Sequence, residues 1–149
     1  NCHLIADESV IKFIMARASH GVIPSFFSLA VAMAAYEMGF NEAAKTIIEP
    51  TNASRVALKK LLAESGLQHI IGKGYYAFMN VGEFIKAKGW ADTEQLGQYL
   101  AENHGIAIVP GAFFSPFGGD WVRFSYATPV ERTEGAFKRL LEGLNELKK

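Results

Sequence analysis

Apolar side chains recur at helical spacing along much of the chain, and short apolar runs fall between the helical stretches. Val10, Ile11, Ile14 and Met15 share one helical face, and Asp7 can cap the first turn, so the pattern predicts a helix over Glu8–Ala18. Leu4–Ala6 before it is a short strand candidate, and Gly21 and Pro24 punctuate the stretch after it. A second helix is predicted from Ser25 to Met38, stopped by Gly39. A third begins near Asn41 and meets Pro50. The residue before a proline is disfavoured in the α region, so this helix is expected to kink or break. It restarts at Thr51 or Asn52 and runs to about Glu64, with Leu58, Leu61 and Leu62 inward and Gly66 as its stop.

Further on, Gln68 to Ile71 and Tyr75 to Val81 read as strands. Alternation puts Tyr75 and Tyr76 on opposite faces, with one of them expected in the core. Glu83 to Lys88 forms a helical turn before Gly89. Asp92 and Gln95 make a capping-box pattern for a helix to Asn103, which Gly105 ends. His104 falls in its last turn, where a cation suits the helix dipole. Ile106 to Val109 and Trp121 to Tyr126 are strands. Thr128-Pro129-Val130-Glu131 is a helix start, with a cap, a proline at the first position and a glutamate three on. Leu140, Leu141, Leu144 and Leu147 give that last helix its stripe. The order predicts an α/β fold: a two-layer α/β sandwich with a small, mainly antiparallel sheet from about residue 51, preceded by helices.

Composition narrows the classes. The chain has 149 residues, half of them apolar, which is enough for one core domain and excludes disorder. Fifteen basic and fifteen acidic side chains cancel without forming a basic cluster, which argues against nucleic acid or an anionic membrane as partner. Pro24 to Tyr36 is strongly apolar but about 13 residues long, short of the roughly 20 that a membrane span needs. A buried helix is the better reading, with Ala30, Ala34 and Ala35 allowing close helix approach. One cysteine, Cys2, excludes an intrachain disulfide and suits a reducing compartment. Asn52-Ala53-Ser54 matches a glycosylation sequon, but a helix start explains it without a secretory signal.

Candidate chemistry is sparse. His3, His20, His69 and His104 show no metal-ligand spacing. Gly118-Gly119 is followed by neither lysine nor a helix start, so it reads as a turn and not a phosphate loop. Ser115 and Ser125 lack the surroundings of a nucleophile. What stands out is Arg123, inside the apolar run Trp121-Val122-Arg123-Phe124-Ser125-Tyr126. Burying an arginine without an anion is costly, and its planar fork matches a carboxylate held bidentately. Two readings stay open: a structural arginine, ion-paired or reaching water from its stem, and an anchor for a carboxylate ligand.

The order of signals around Arg123 resembles the C-terminal region of the class I/II aminotransferases, fold type I pyridoxal-phosphate enzymes of the aspartate aminotransferase superfamily. Gly105-Ile106-Ala107-Ile108-Val109-Pro110-Gly111-Ala112-Phe113 and the Arg123 strand are similar to that family's G-V/I-x-V/I-x-P-G-x-x-F and V-R-I/F-S-F/Y-A. Lys73-Gly74-Tyr75-Tyr76-Ala77-Phe78-Met79 looks like its G-A-F/M-Y/F-x-F/L/W strand, with Lys73 where glycine is usual. Ser54-Arg55 through Leu62 and Ser65-Gly66-Leu67 look like its R-x-x-L helix and exit. His3 to Ile11 looks like the strand and helix that follow its phosphate-binding R-x-G-Y/W motif.

The resemblance implies that Arg123 grips the substrate's α-carboxylate and that Tyr76 takes the aromatic position beside bound substrate, though core packing explains Tyr76 equally well. It implies a division into 1–50, the helical end of the large cofactor-binding domain, and 51–149, the small domain. It implies pyridoxal phosphate as cofactor, an amino acid and a 2-oxo acid as substrates, and a cytoplasmic homodimer for the full-length protein. The family's Schiff-base lysine and most phosphate ligands lie before the matched region. None of the ten lysines sits in the family's Ser-rich lysine loop. The chain is therefore expected to be a C-terminal portion, inactive alone, with no catalytic, cofactor-binding or metal residues of its own. Related lyases and decarboxylases would use the same arginine. A reading of a different class is a non-catalytic, stand-alone module that binds a small carboxylate or a partner protein.

Overall fold

The computed structural model of the chain describes residues 5–18 and 25–148. His3, His20, Cys2, Gly21, Pro24 and the first residue of the Leu4–Ala6 strand candidate lie outside them, and Ile5 and Ala6 belong to no strand. The described residues divide after Lys45 into two compact units. No helix among them is long and apolar enough to cross a membrane.

The first unit holds helices α1 (Glu8–Ala18) and α2 (Phe26–Met38). Asp7 caps α1: its Oδ1 accepts from Ser9 N at 3.0 Å and from Ser9 Oγ at 2.7 Å. The bond from the Ser9 amide, seconded by the hydroxyl, holds the Asp7 carboxyl below the usual aspartate range. Helix α2 buries none of its residues, and Phe26, Phe27, Val31, Met33 and Met38 are exposed on it.

Helix α3 runs from Phe40 to Ser65 with Pro50 inside it. Of the kink or break expected at Pro50, the break does not occur. Proline removes one backbone donor and crowds the preceding turn. The half beyond it is held by its buried side chains Ser54, Leu58 and Leu62. Nor does a helix begin at Asn52-Ala53-Ser54. Asn52 Oδ1 accepts from Arg55 at 3.1 Å, and buried Ser54 donates to Thr128 O at 2.6 Å.

The rest of the second unit is a four-stranded sheet with helices. Strands β1 (His69–Ile71), β2 (Tyr76–Asn80), β3 (Val109–Pro110) and β4 (Trp121–Ser125) lie in the order β1-β2-β4-β3, every pairing antiparallel. Helix α4 (Gly82–Lys88) follows β2, α5 (Thr93–His104) precedes β3, and α6 (Val130–Glu146) follows β4. Gly39, Gly66, Gly89 and Gly105, the sequence's helix stops, have positive φ, the backbone region that glycine enters without penalty. Asp92 caps α5, its Oδ1 accepting from Glu94 N at 2.9 Å, while Gln95 Oε1 accepts from Ala91 N, one residue before the cap, at 2.7 Å.

Three local expectations change. Strand β3 starts at Val109 and not at Ile106, because the Ile106 amide donates to Leu100 O at the exit of α5 and its side chain is buried. Thr128 does not cap an amide of α6; its hydroxyl meets that of Thr133 at 2.9 Å. Tyr75 and Tyr76 do not split between two faces. Tyr75 precedes the first residue of β2, outside the pleat, so both rings are exposed and lie 4.5 Å apart. Alternation begins one residue later, with Ala77 and Met79 buried. They join Val122 and Phe124 of β4, Leu58 and Leu62 of α3, Leu96 and Leu100 of α5, and Phe137, Leu140 and Leu144 of α6 in one core. Each of these side chains larger than alanine contributes about 1.5–3 kcal/mol by leaving water.

Candidate functional site: an arginine on the open face of the sheet

The pleat of β4 sends Val122 and Phe124 into the core and Arg123 to the other face. In register, Arg123 stands opposite Phe78 on β2 and Val109 on β3. It is half-buried among neighbours that are mostly aromatic. Its guanidinium carbon lies 4.1 Å from the centre of the Tyr76 ring and 4.6 Å from that of Phe114. Phe114 meets Phe78 edge to face at 5.8 Å. Cation–π contacts of this kind contribute about 0.5–2 kcal/mol each and hold the guanidinium in place.

What Arg123 lacks is a carboxylate. The ion pairs among the described residues join Lys12 to Glu8, Lys45 to Glu42, Lys86 to Asp120 and Lys148 to Glu83, and the His104 ring lies against Glu146. None includes Arg123, and among the described residues none hydrogen-bonds to its guanidinium. A structural ion pair is thus not how this arginine is accommodated. Two rings hold it while its N–H donors stay uncommitted among the described residues. That arrangement can take a planar anion without first breaking a bond.

The sequence alone does not single out Phe114. Its place depends on a turn that only glycines allow. After β3, Gly111–Phe113 forms a 3-10 turn, with Phe114 N and Ser115 N both donating to Gly111 O. The backbones of Gly111 and Gly118 then pass so close that a Cβ on Gly118 would collide with the Gly111 carbonyl. A Cβ on Gly111 would collide with the carbonyls of Gly118 and Trp121. The doubled glycine of the sequence is indeed a turn, and Gly118 is the half of it that close approach requires. The signal in the sequence is Pro110-Gly111 with the aromatic pair Phe113-Phe114 just beyond it.

The other candidates stay apart from Arg123. His69 Nδ1 lies 2.8 Å from Leu67 O. His104 does not cap its helix with the ring; Nε2 faces Tyr99 Oη and Glu146 Oε2, each at 3.3 Å. Burial, and then the bond to Glu146, push the Tyr99 hydroxyl above the usual tyrosine range. No group of three or more metal-ligating side chains exists among the described residues. A cavity of about 520 Å³ opens beside Arg132 and Arg139 of α6 but does not include Arg123. Arg139 is engaged there with His104 O at 3.2 Å.

The fold is an α/β domain with a small antiparallel sheet, helices on its buried side and a ring-held arginine on its open side. Comparison with known proteins gives the family. The model of the family Aminotransferase class I and II matches residues 3–140, and the chain belongs to that family. It is 32% identical over 142 residues to an aspartate aminotransferase of Pyrococcus abyssi, covering 95% of this chain and 35% of that protein. It is 30% identical over 142 residues to aromatic-amino-acid aminotransferase 2 of Thermococcus litoralis, with the same coverage of 95% and 35%. The fold matches the PLP-bound C-S lyase of Staphylococcus hominis with a TM-score of 0.77, at 20% identity, over 94% of this chain and 36% of that one. The chain thus spans about a third of the length of these relatives.

The family implies pyridoxal phosphate. The described residues do not by themselves fit it. Each described lysine is exposed, and none is enclosed as a Schiff-base lysine must be.

Proposed function

We propose that this chain is the carboxylate-anchoring segment of a pyridoxal-phosphate aminotransferase acting on an amino acid and a 2-oxo acid. Arg123 binds the α-carboxylate that both substrates share. The observation that carries this reading is the guanidinium laid over Tyr76 and Phe114 with no carboxylate partner among the described residues. Tyr76 borders the bound substrate and keeps the arginine from swinging into solvent. The reading assigns residues 1–50 to the end of the large cofactor-binding domain and 51–149 to the small domain. It includes a cytoplasmic homodimer for the full-length protein.

The test is Arg123→Lys in the full-length protein. Lysine keeps the charge and loses the fork. A charge-assisted bidentate contact is worth roughly 1.5–3 kcal/mol, so kcat/KM should fall on the order of tenfold to a hundredfold. The fall should be similar for every amino acid tried, since each carries the α-carboxylate. A fall confined to one substrate, or none, sinks the assignment.

The same proposal holds that these residues do not turn over substrate alone. Adding pyridoxal phosphate to the isolated chain, reducing with borohydride and mapping the lysines by mass should give scattered, partial labelling. Stoichiometric labelling of one lysine would contradict it.

A further inference from the structure

Arg123 and Tyr126 sit three residues apart and face opposite sides of the sheet. Tyr126 is fully buried, the largest side chain so enclosed among the described residues. Its hydroxyl donates to Gly74 O at 2.6 Å, and its amide donates to Tyr75 O at 3.0 Å. Both acceptors lie in the turn Gly72–Tyr75 that leads into β2. Arg55 of α3 reaches the other end of that turn, with one guanidinium nitrogen 3.4 Å from Gly72 O. The turn delivers Tyr75 and Tyr76, whose rings touch, and Tyr76 is the ring beneath Arg123. A glycine-flanked turn of exposed residues has little packing of its own to fix it.

We infer that Tyr126 is a positioning residue for the anion site: its hydroxyl, through Gly74 O, fixes the turn that lays the Tyr76 ring against Arg123. The inference rests on the anchor reading of Arg123 and adds a residue that never touches the ligand. Strand β4 then carries the anchor on its open face, and the tether is the buried residue that follows its last one. The burial that raises the Tyr126 hydroxyl above the usual tyrosine range, partly offset by the nearby Arg55 charge, keeps it a neutral donor.

The experiment uses this chain and Tyr126→Phe, which keeps the buried ring and removes only the donor. Ring currents from Tyr76 displace the Arg123 side-chain resonances, and Tyr76→Ala gives the reference for their loss. Tyr126→Phe should move the Arg123 signals through most of that displacement while the core methyl signals stay in place. Arg123 signals that remain where they are in the unsubstituted chain overturn the inference. A second reading needs no variant. Deuterating the Tyr126 hydroxyl should shift the Gly74 carbonyl carbon across the hydrogen bond, and no isotope shift there also overturns it. Titrating acetate into the unsubstituted chain separates the two claims. Unresponsive Arg123 signals would defeat the anchor reading, whereas the ring-current result concerns the tether alone.

Discussion

On one face of the sheet Ala77, Met79 and Val122 are 0% exposed and Phe124 is 3% exposed; on the other, Tyr76 is 38% exposed and Arg123 is half-buried. The same two strands, β2 and β4, make both faces, one residue out of phase. On the core face large apolar side chains meet helices α3, α5 and α6. On the open face rings meet a cation that has no anion among the described residues. The difference teaches how two paired strands keep a packed face and an open one apart. A strand of five residues can serve both because its side chains alternate, and a one-residue slip would exchange the two roles.

That contrast can be broken most forcefully with two phenylalanines. Phe124→Ala empties a core position and should cost about 3–5 kcal/mol in chemical denaturation. Phe78→Ala, opposite Arg123 on the open face, should cost only about 1 kcal/mol. Equal costs would mean that the open face is core after all.

A smaller effect sharpens the role of the turn. Gly118→Ala forces a methyl group against the Gly111 carbonyl, and backbone there cannot yield as a side-chain tip would. It should cost about 1–3 kcal/mol as an overpacked site and draw Phe114 off Arg123. Gly119→Ala meets nothing within 4 Å and should be near neutral, within about 0.5 kcal/mol. If both variants leave the Arg123 signals unmoved, the turn does not place Phe114.

Alkaline pH gives a gentler probe of the buried residue just past β4. Burial, against a smaller opposing effect of Arg55, raises the Tyr126 hydroxyl above its ordinary value of 10.0. The unfolded chain therefore loses that proton first as pH rises. Stability from this group is whole below about pH 10 and declines above it. Tyr126→Phe should flatten that decline in thermal unfolding recorded across the alkaline range. An unchanged pH slope would show that Tyr126 is not the group concerned.

Much of the fold was legible because its signals are local. Gly39, Gly66, Gly89 and Gly105 mark helix ends wherever the chain needs a positive φ. The leucine stripe of α6 and the Asp92–Gln95 pair need only neighbouring residues to be read. Some of the misreadings come from partners outside the local pattern. Ser54 looks like part of a helix start, but its hydroxyl belongs to Thr128 O, 74 residues away. Thr128 looks like a cap, but Ser54 and Thr133 claim it. Pro50 looks like a break, yet packing beyond it keeps the helix whole. At Ser54 a distant partner overrode local preference, and at Thr128 a hydroxyl one turn on took the place of the helix amide. At the candidate site, Arg123 was legible as a charge in an apolar strand. Phe114 was not, because the contact of Gly111 with Gly118 that places it joins distant residues through a turn of no regular period.

The central claim is that Arg123 serves binding and not folding, and Arg123→Lys in this chain tests both at once. Acetate is titrated while the Tyr76 and Phe114 ring signals are followed, and thermal unfolding is recorded on the same samples. The account predicts a loss of carboxylate affinity on the order of tenfold or more. It predicts a change in unfolding free energy below about 1 kcal/mol. Lower stability with carboxylate affinity unchanged would contradict it and make Arg123 a structural residue.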